Sequence, residues 1–280
     1  MRFALKTAPQ HTNWADMLAV WQAADAIDFY ESGWTFDRFY PIFSDSTGPC
    51  LEGWVTTTAL AQATRRLRVG VLVTGMPYRH PAVLANMAAT LDVISGGRLE
   101  LGLGAGWNQE EADAYGIDIG STLTDRFDFF DESLEVVTSL LTTETTDFDG
   151  RFLHLKGARC EPKPVQRPHP PICIGGGGEQ RTLRSVARFA QHCNFPGGPA
   201  EMFRDKVEVL RGHCAAIGRD PAEITTSTHL RLPEGGDVGP LVEQAEHYAA
   251  VGLDLGIVYL PPPHTPAVLE PVAAALAHLQ

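Results

Sequence analysis

The sequence predicts an α/β protein whose most economical form is a (β/α)8 barrel, and three observations predict it. About eight short apolar or alternating runs interleave with about eight helical patterns, as in parallel strands joined by crossover helices. No composition shift or Gly/Pro-rich linker divides the chain, and no repeat of about 20–50 residues is visible, so one domain over residues 1–280 is expected. The 280 residues, 44% of them hydrophobic, suffice for one large core. A doubly wound sheet is the runner-up.

Phe3 to Thr7 reads as a short apolar strand. A helix follows over Trp14–Tyr30, capped by Asn13, with Met17, Val20, Trp21 and Ala24 on one face. Glu31–Phe36 is a second strand. It runs into an aromatic, charged loop, and Leu51, Trp54, Val55, Thr58 and Ala59 then have helical spacing. Arg68–Thr74 is nearly continuous in Val and Leu, which suits a strand buried on both faces. Pro81 opens a helix that Ser95-Gly-Gly97 stops. Leu99, Leu101 and Leu103 alternate with Glu100, Gly102 and Gly104 in a fourth strand, and Asn108 caps the helix after it.

Phe127, Phe130, Leu134, Val137 and Leu141 mark the longest helix. Residues 147–164 break the rhythm as a small insertion after the fourth βα unit. Pro171–Ile174 is a fifth strand ending in four glycines. The remaining strands read as 192–195, 224–232 and 253–260, with helices over 181–190, 203–217, 241–251 and 266–279.

Composition narrows the function. A formal net charge of −12 and a pI near 5.2 argue against nucleic-acid binding, which needs a basic face. No apolar run has the length of a membrane span, and Met1–Lys6 is charged at once, so neither a membrane anchor nor a signal peptide is expected. Five scattered cysteines without a Cys-x-x-Cys pair read as free thiols in a reducing cytoplasm. No Walker motif, His-Glu-x-x-His or G-x-S-x-G elbow occurs. His80, His192 and His229 lack paired spacing, so no metal site is expected.

In such a barrel the active site lies at the C-terminal ends of the strands. That rule singles out Asp37, Arg38 and Tyr40; Thr74, Gly75, Tyr78 and His80; Gly104, Ala105, Gly106, Trp107 and Asn108. It adds Gly175, Gly176, Gly177 and Gly178; then Phe195, His229, Arg231 and Tyr259. This aromatic, glycine-rich set suits a flat conjugated ligand with a phosphate tail. The glycine loops either merely permit tight turns or expose N–H groups to that phosphate. They are not dinucleotide fingerprints, because the sixth positions are Trp107 and Gln180. Strand alternation also places Arg68 and Glu100 inside the barrel near its bottom, paired. It turns Gly70, Gly102, Gly104 and Gly256 inward, where they leave space. Loops 37–50, 147–164 and 233–240 are expected to set substrate choice.

Tyr78–Glu111 carries His80-Pro81, Thr90-Leu-Asp92, Ser95-Gly-Gly-Arg98 and Gly102-x-Gly-x-Gly-Trp107, and Pro171–Gly178 adds a second match. Over nearly the whole chain this resembles the luciferase-like monooxygenase superfamily, in particular its actinobacterial coenzyme F420-dependent branch. The resemblance implies a (β/α)8 barrel holding F420, or alternatively FMN, at its top. It implies an F420-dependent oxidoreductase that moves a hydride to or from a small organic substrate. The alternatives are an FMN-dependent monooxygenase fed by a separate cofactor-reducing enzyme, and a non-catalytic flavin- or deazaflavin-binding barrel. A homodimer is also implied.

By the same resemblance Thr74-Gly75 matches a bulge, often a non-prolyl cis peptide, behind the ring. Gly104–Asn108 and Gly175–Gly178 match the loops that hold tail and phosphate. Asp37 matches an acid beside the deazaflavin. The pattern has His next, where this chain has Arg38, and an Arg does not shuttle protons near neutral pH. Asp37, Arg38 and His80 are the catalytic candidates, with His229 a further proton donor. Trp34, Tyr40, Tyr78, His229 and Tyr259 are the pocket walls.

Overall fold

A computed structural model describes residues 1–280. The chain runs β1 (Arg2–Thr7), α1 (Trp14–Asp25), β2 (Tyr30–Thr35), α2 (Gly53–Ala63), β3 (Arg68–Val71), β4 (Thr74–Gly75), α3 (Pro81–Ser95), β5 (Leu99–Gly104), α4 (Gln109–Tyr115) and α5 (Leu123–Thr142). The hairpin β6 (Thr146–Asp149) and β7 (His154–Ala158) follows. Then come β8 (Ile172–Gly175), α6 (Thr182–Phe189), β9 (His192–Phe195), α7 (Ala200–Ala216), β10 (Thr225–Arg231), α8 (Gly239–Ala250), β11 (Leu255–Leu260) and α9 (Leu269–Leu276).

The helix boundaries follow from the caps. Asn13 and Asn108 each accept the backbone N–H three residues on, at Asp16 and Glu111. Gly96, at φ 68°, ends α3 in the left-handed region, and the Gly97 N–H returns to the Asp92 carbonyl at 2.8 Å. The first helix is shorter than its apolar pattern. It stops at Asp25, whose carboxylate accepts the N–H groups of Arg65, Arg66 and Leu67. Tyr30 then begins β2, its hydroxyl donating to the Leu269 carbonyl at 2.8 Å.

The parallel sheet has the order β3-β2-β1-β11-β10-β9-β8-β5, and β3 pairs back onto β5, which closes an eight-stave barrel. Here β3 and β4 are two halves of one stave. They are separated by Leu72-Val73, whose peptide bond is cis. The family resemblance implies that feature at Thr74-Gly75, and it lies two peptide bonds earlier. Helices surround the barrel, and 55 buried residues fill the space between the two layers. No helix is long and apolar enough to cross a membrane.

Strand alternation sorts the barrel interior into layers. At the bottom Arg68 Nε donates to Glu100 Oε1 at 2.8 Å, the inward pairing that alternation predicts. Glu100 Oε2 also meets His192 Nδ1 at 3.1 Å, and His192 Nε2 meets Ser227 Oγ at 2.6 Å. Above them Ala4, Trp34, Leu72, Cys173, Leu255 and Ile257 form an apolar plug. Trp34 is fully buried there, edge-on to His192. It therefore closes the barrel from below and is not a pocket wall.

Gly70 and Gly102 do face inward, but their space is taken. A Cβ on Gly70 would lie 2.4 Å from the Trp34 ring, and one on Gly102 1.9 Å from the Val71 carbonyl oxygen. Gly256 faces outward, because its Cβ would meet Leu230 and Phe3 of the outer core. The hairpin stands on the outside. The Glu132 carboxylate of α5 accepts the N–H groups of Arg151, Phe152 and Leu153 at its tip. None of residues 147–164 lines the main cavity, which removes them from the loops that shape a substrate.

Candidate active site

A cavity of about 800 Å³ opens at the C-terminal ends of the strands. All eight staves reach it: Lys6, Phe36, Leu72 with Val73 and Gly75, Gly104, Gly175, Asn194, His229 with Arg231, and Tyr259 lie at or just past the strand ends. The mouth is rimmed by Phe43 and Trp107, which stack at 5.8 Å with their planes 8° apart.

One wall is built by the interruption between β3 and β4. Val73 projects from it between the two glycine loops. A Cβ on Gly104 would come within 2.7 Å of Val73 Cγ2, and one on Gly175 within 2.9 Å of Val73 Cγ1. Glycine is needed at both places because Val73 occupies the room a side chain would take. Farther out, Gly106 (φ 83°) and Gly176 (φ 128°) hold backbone conformations that favour glycine. The result is a glycine-rich strip of backbone along the cavity, running into α6 at Thr182.

The floor carries a lysine that the sequence reading passed over as part of an apolar strand. Phe3 and Leu5 point into the outer core, so Lys6 points inside. Its Nζ donates to the Leu72 carbonyl at 2.9 Å and lies 3.3 Å from His229 Nε2. Burial, with Arg231 and Arg38 nearby, pulls the Lys6 ammonium down to about 7. Burial, Lys6 and Arg231 hold the His229 imidazole well below its usual range. A neutral imidazole accepts at Nε2 here, a tautomer assigned from its partner. Lys6 Nζ and the Arg231 guanidinium lie 5.3 Å and 5.1 Å from the centre of the Tyr259 ring. Burial raises the Tyr259 phenol.

Arg38 is the only one of the three catalytic candidates on the cavity wall. Its Nη1 pairs with the fully buried Glu111 at 2.9 Å and with the Tyr78 hydroxyl at 2.5 Å, and it stacks on Trp107. The Tyr78 hydroxyl also donates to Glu111, and the Phe39 N–H donates to Glu111 Oε1 at 2.8 Å. Glu111, an acid in the first turn of α4, thus anchors the loop after β2. Its helical phase alone did not mark it.

Asp37 sits behind the wall, with both oxygens on Arg79 at 2.5 and 3.0 Å. Burial pushes its carboxyl up against the opposing pull of Arg79. His80 is exposed and caps α3, its Nδ1 accepting the Ala82 N–H at 3.2 Å, so the structure does not bring it to the cavity. Thr74 is buried, accepting from Trp54 Nε1, and Asn108 caps α4. Tyr40, Tyr78, Gly177 and Gly178 also lie off the lining, whereas Gly75, Gly104–Trp107, Gly175, Gly176, His229 and Tyr259 are on it.

A family model described as luciferase-like monooxygenase matches residues 1–249. An uncharacterised protein of Mycobacterium tuberculosis is 32% identical over 234 residues, covering 81% of this chain and 77% of that protein. Among solved structures, an F420-dependent secondary alcohol dehydrogenase in complex with an F420-acetone adduct superposes with a TM-score of 0.87 at 15% identity, covering 100% of this chain and 99% of that one. The coenzyme F420-dependent tetrahydromethanopterin reductase of Methanopyrus kandleri gives 0.82 at 16%, with 100% and 99% covered. The oxygenating constituent of 3,6-diketocamphane monooxygenase from Pseudomonas putida, in complex with FMN, gives 0.78 at 15%, with 99% and 96% covered. By the extent of the family match and by the mycobacterial relative, the chain belongs to the luciferase-like monooxygenase family.

Proposed function

We propose that the chain is an F420-dependent oxidoreductase acting on a small organic substrate. The observation that carries this reading is the charge of the cavity. Lys6, Arg38 and Arg231 line it against one carboxylate, Glu234, in a chain whose formal net charge is −12. An acidic protein that gathers cations in one cavity, Lys6 on its floor and Arg38 paired there with Glu111, is arranged for an anionic ligand. F420 carries carboxylates as well as a phosphate on its tail, and so meets that lining better than FMN with its single phosphate.

The residues present fit such a group. The backbone of Gly104–Gly106 and Gly175–Gly176 borders the cavity with only the Ala105 methyl projecting from it, the Gly176 N–H being already donated to the Asn194 carbonyl at 2.9 Å, and the start of α6 adds its dipole. These residues would hold the tail, while Val73 and Gly75 would back the ring and Phe36 and Tyr259 would flank it. Bound F420 supplies two-electron hydride chemistry at a ring carbon. The chain's own task is to exclude water and to orient the substrate, which the apolar plug below and the Phe43–Trp107 rim above favour. Two of the structural neighbours named above use F420, in keeping with this reading.

A flavin monooxygenase is the second reading, favoured by Arg38 at the place where the F420 branch has His. Parallel absorbance titrations decide between them. Micromolar binding of F420 with weaker FMN is expected, and tighter FMN than F420 overturns the proposal.

A further inference from the structure

We infer that Lys6 Nζ, backed by His229, carries the proton of the reaction, and that the substrate is a carbonyl compound reduced to an alcohol or the same couple run in reverse. This rests on the F420 reading above. An ammonium has three N–H donors. Two of them are engaged by the Leu72 carbonyl and His229, and the third is left facing a cavity with no protein partner. A buried lysine held for structure alone is normally paired with a carboxylate, and Lys6 has none. The groups around it are His229 and Arg231 of β10, Tyr259 of β11, Arg38 after β2 and Cys173 of β8.

The chemistry selects Lys6 from this group. A carbonyl carbon that accepts a hydrogen and two electrons from reduced F420 forms a C–H bond. The C=O π bond breaks and its electrons move to oxygen. The Lys6 N–H bond then breaks as the O–H bond forms. The carbonyl is reduced, the cofactor is oxidised, and the amine is left neutral until solvent at the mouth returns its proton. Arg231 on the cavity lining can stabilise charge on the oxygen and Arg38 is already paired with Glu111, but neither guanidinium gives up a proton. An amine that titrates at about 7 stabilises that charge as the ammonium and also gives up its proton near neutrality. Cations grouped this way complement charge growing on oxygen, which favours a carbonyl over an isolated carbon–carbon double bond.

Acetic anhydride labelling across pH, read by mass spectrometry with and without F420, reports the Lys6 amine directly. It should titrate near 7, against about 10.4 for an ordinary lysine. Reduced F420 consumption is then followed with cyclohexanone and benzaldehyde. Turnover should fall as pH rises through the Lys6 titration, since the donor is the ammonium. Lys6→Met and Lys6→Arg should each lower kcat by about 100-fold or more with F420 affinity retained, and Lys6→Arg should lose the inflection. Labelling at an ordinary lysine pH overturns the inference. So does bound F420 without turnover of either carbonyl, or Lys6→Met losing F420 affinity in step with rate. Failure of F420 to bind instead overturns the cofactor reading. The wild-type labelling and pH profile decide the matter even where a variant does not fold.

Discussion

At the scale of single residues the site turns on Val73. Gly104 and Gly175 approach it from two neighbouring strands, and neither tolerates a Cβ without moving a stiff β-branched side chain. Gly104→Ala should therefore cost about 1–3 kcal/mol by overpacking. In a Val73→Ala background most of that cost should disappear, because the atom that clashes is gone. Urea midpoints of the two single variants and the double variant measure the coupling. Additive midpoints would show that Val73 does not hold the loops. Gly102→Ala is a harsher change, since its Cβ would meet the Val71 backbone oxygen, which no rotamer relieves.

At the scale of elements the bottom of the barrel is held by charge where the top is left open. Burial pushes the Glu100 carboxyl up, but His192 and Arg68 outweigh it and hold it at about 2. A carboxylate lowered on folding adds stability above its unfolded value near 4.5, and that stability is lost as pH falls towards 2. The shift corresponds to about 3 kcal/mol at neutral pH. Glu100→Gln should lower stability by about that much at pH 7 and much less near pH 2, and should flatten the acid limb of a stability–pH curve. Equal losses at both pH values would show that packing, not charge, ties β5 to β9.

Both charged partners on β3 and β5 were legible from the sequence, because a two-residue period leaves one inward set once Leu99, Leu101 and Leu103 are assigned outward. The helix over Pro81–Ser95 was legible for a similar reason, with Pro at its start and Gly just past its end. Lys6 was not, since one cation in a five-residue apolar run cannot show which face it occupies before the strand's neighbours are known. The same limit inverted Gly256. Trp34 was assigned to the pocket for its ring alone. Its depth is set by Gly70, on a different strand, which makes room for it. His80 precedes a helix-starting proline, and that position explains its cap better than any chemistry.

At the scale of the whole molecule the barrel joins its two ends. All of β1 pairs with β11, from Arg2–Leu255 to Thr7–Leu260, and the Met1 amino group donates to the Leu279 carbonyl at 2.6 Å. The last strand therefore closes the sheet on the first, and there is no interior point at which the chain divides into separately closed layers. One cooperative unit is the expected outcome. Calorimetry should give a single transition with matching calorimetric and van't Hoff enthalpies. Removing residues 255–280 should abolish that transition and not merely shift it, because β1 and β10 would become open edges. Every stave also contributes to the cavity, so a ligand bound there is linked to global unfolding and not to the opening of one loop. At about 100 times its dissociation constant, F420 should add about 2.7 kcal/mol, raising the midpoint by about 5 °C for a chain of this size. A second transition, or a midpoint unmoved by saturating F420, would show that the mouth melts apart from the barrel beneath it.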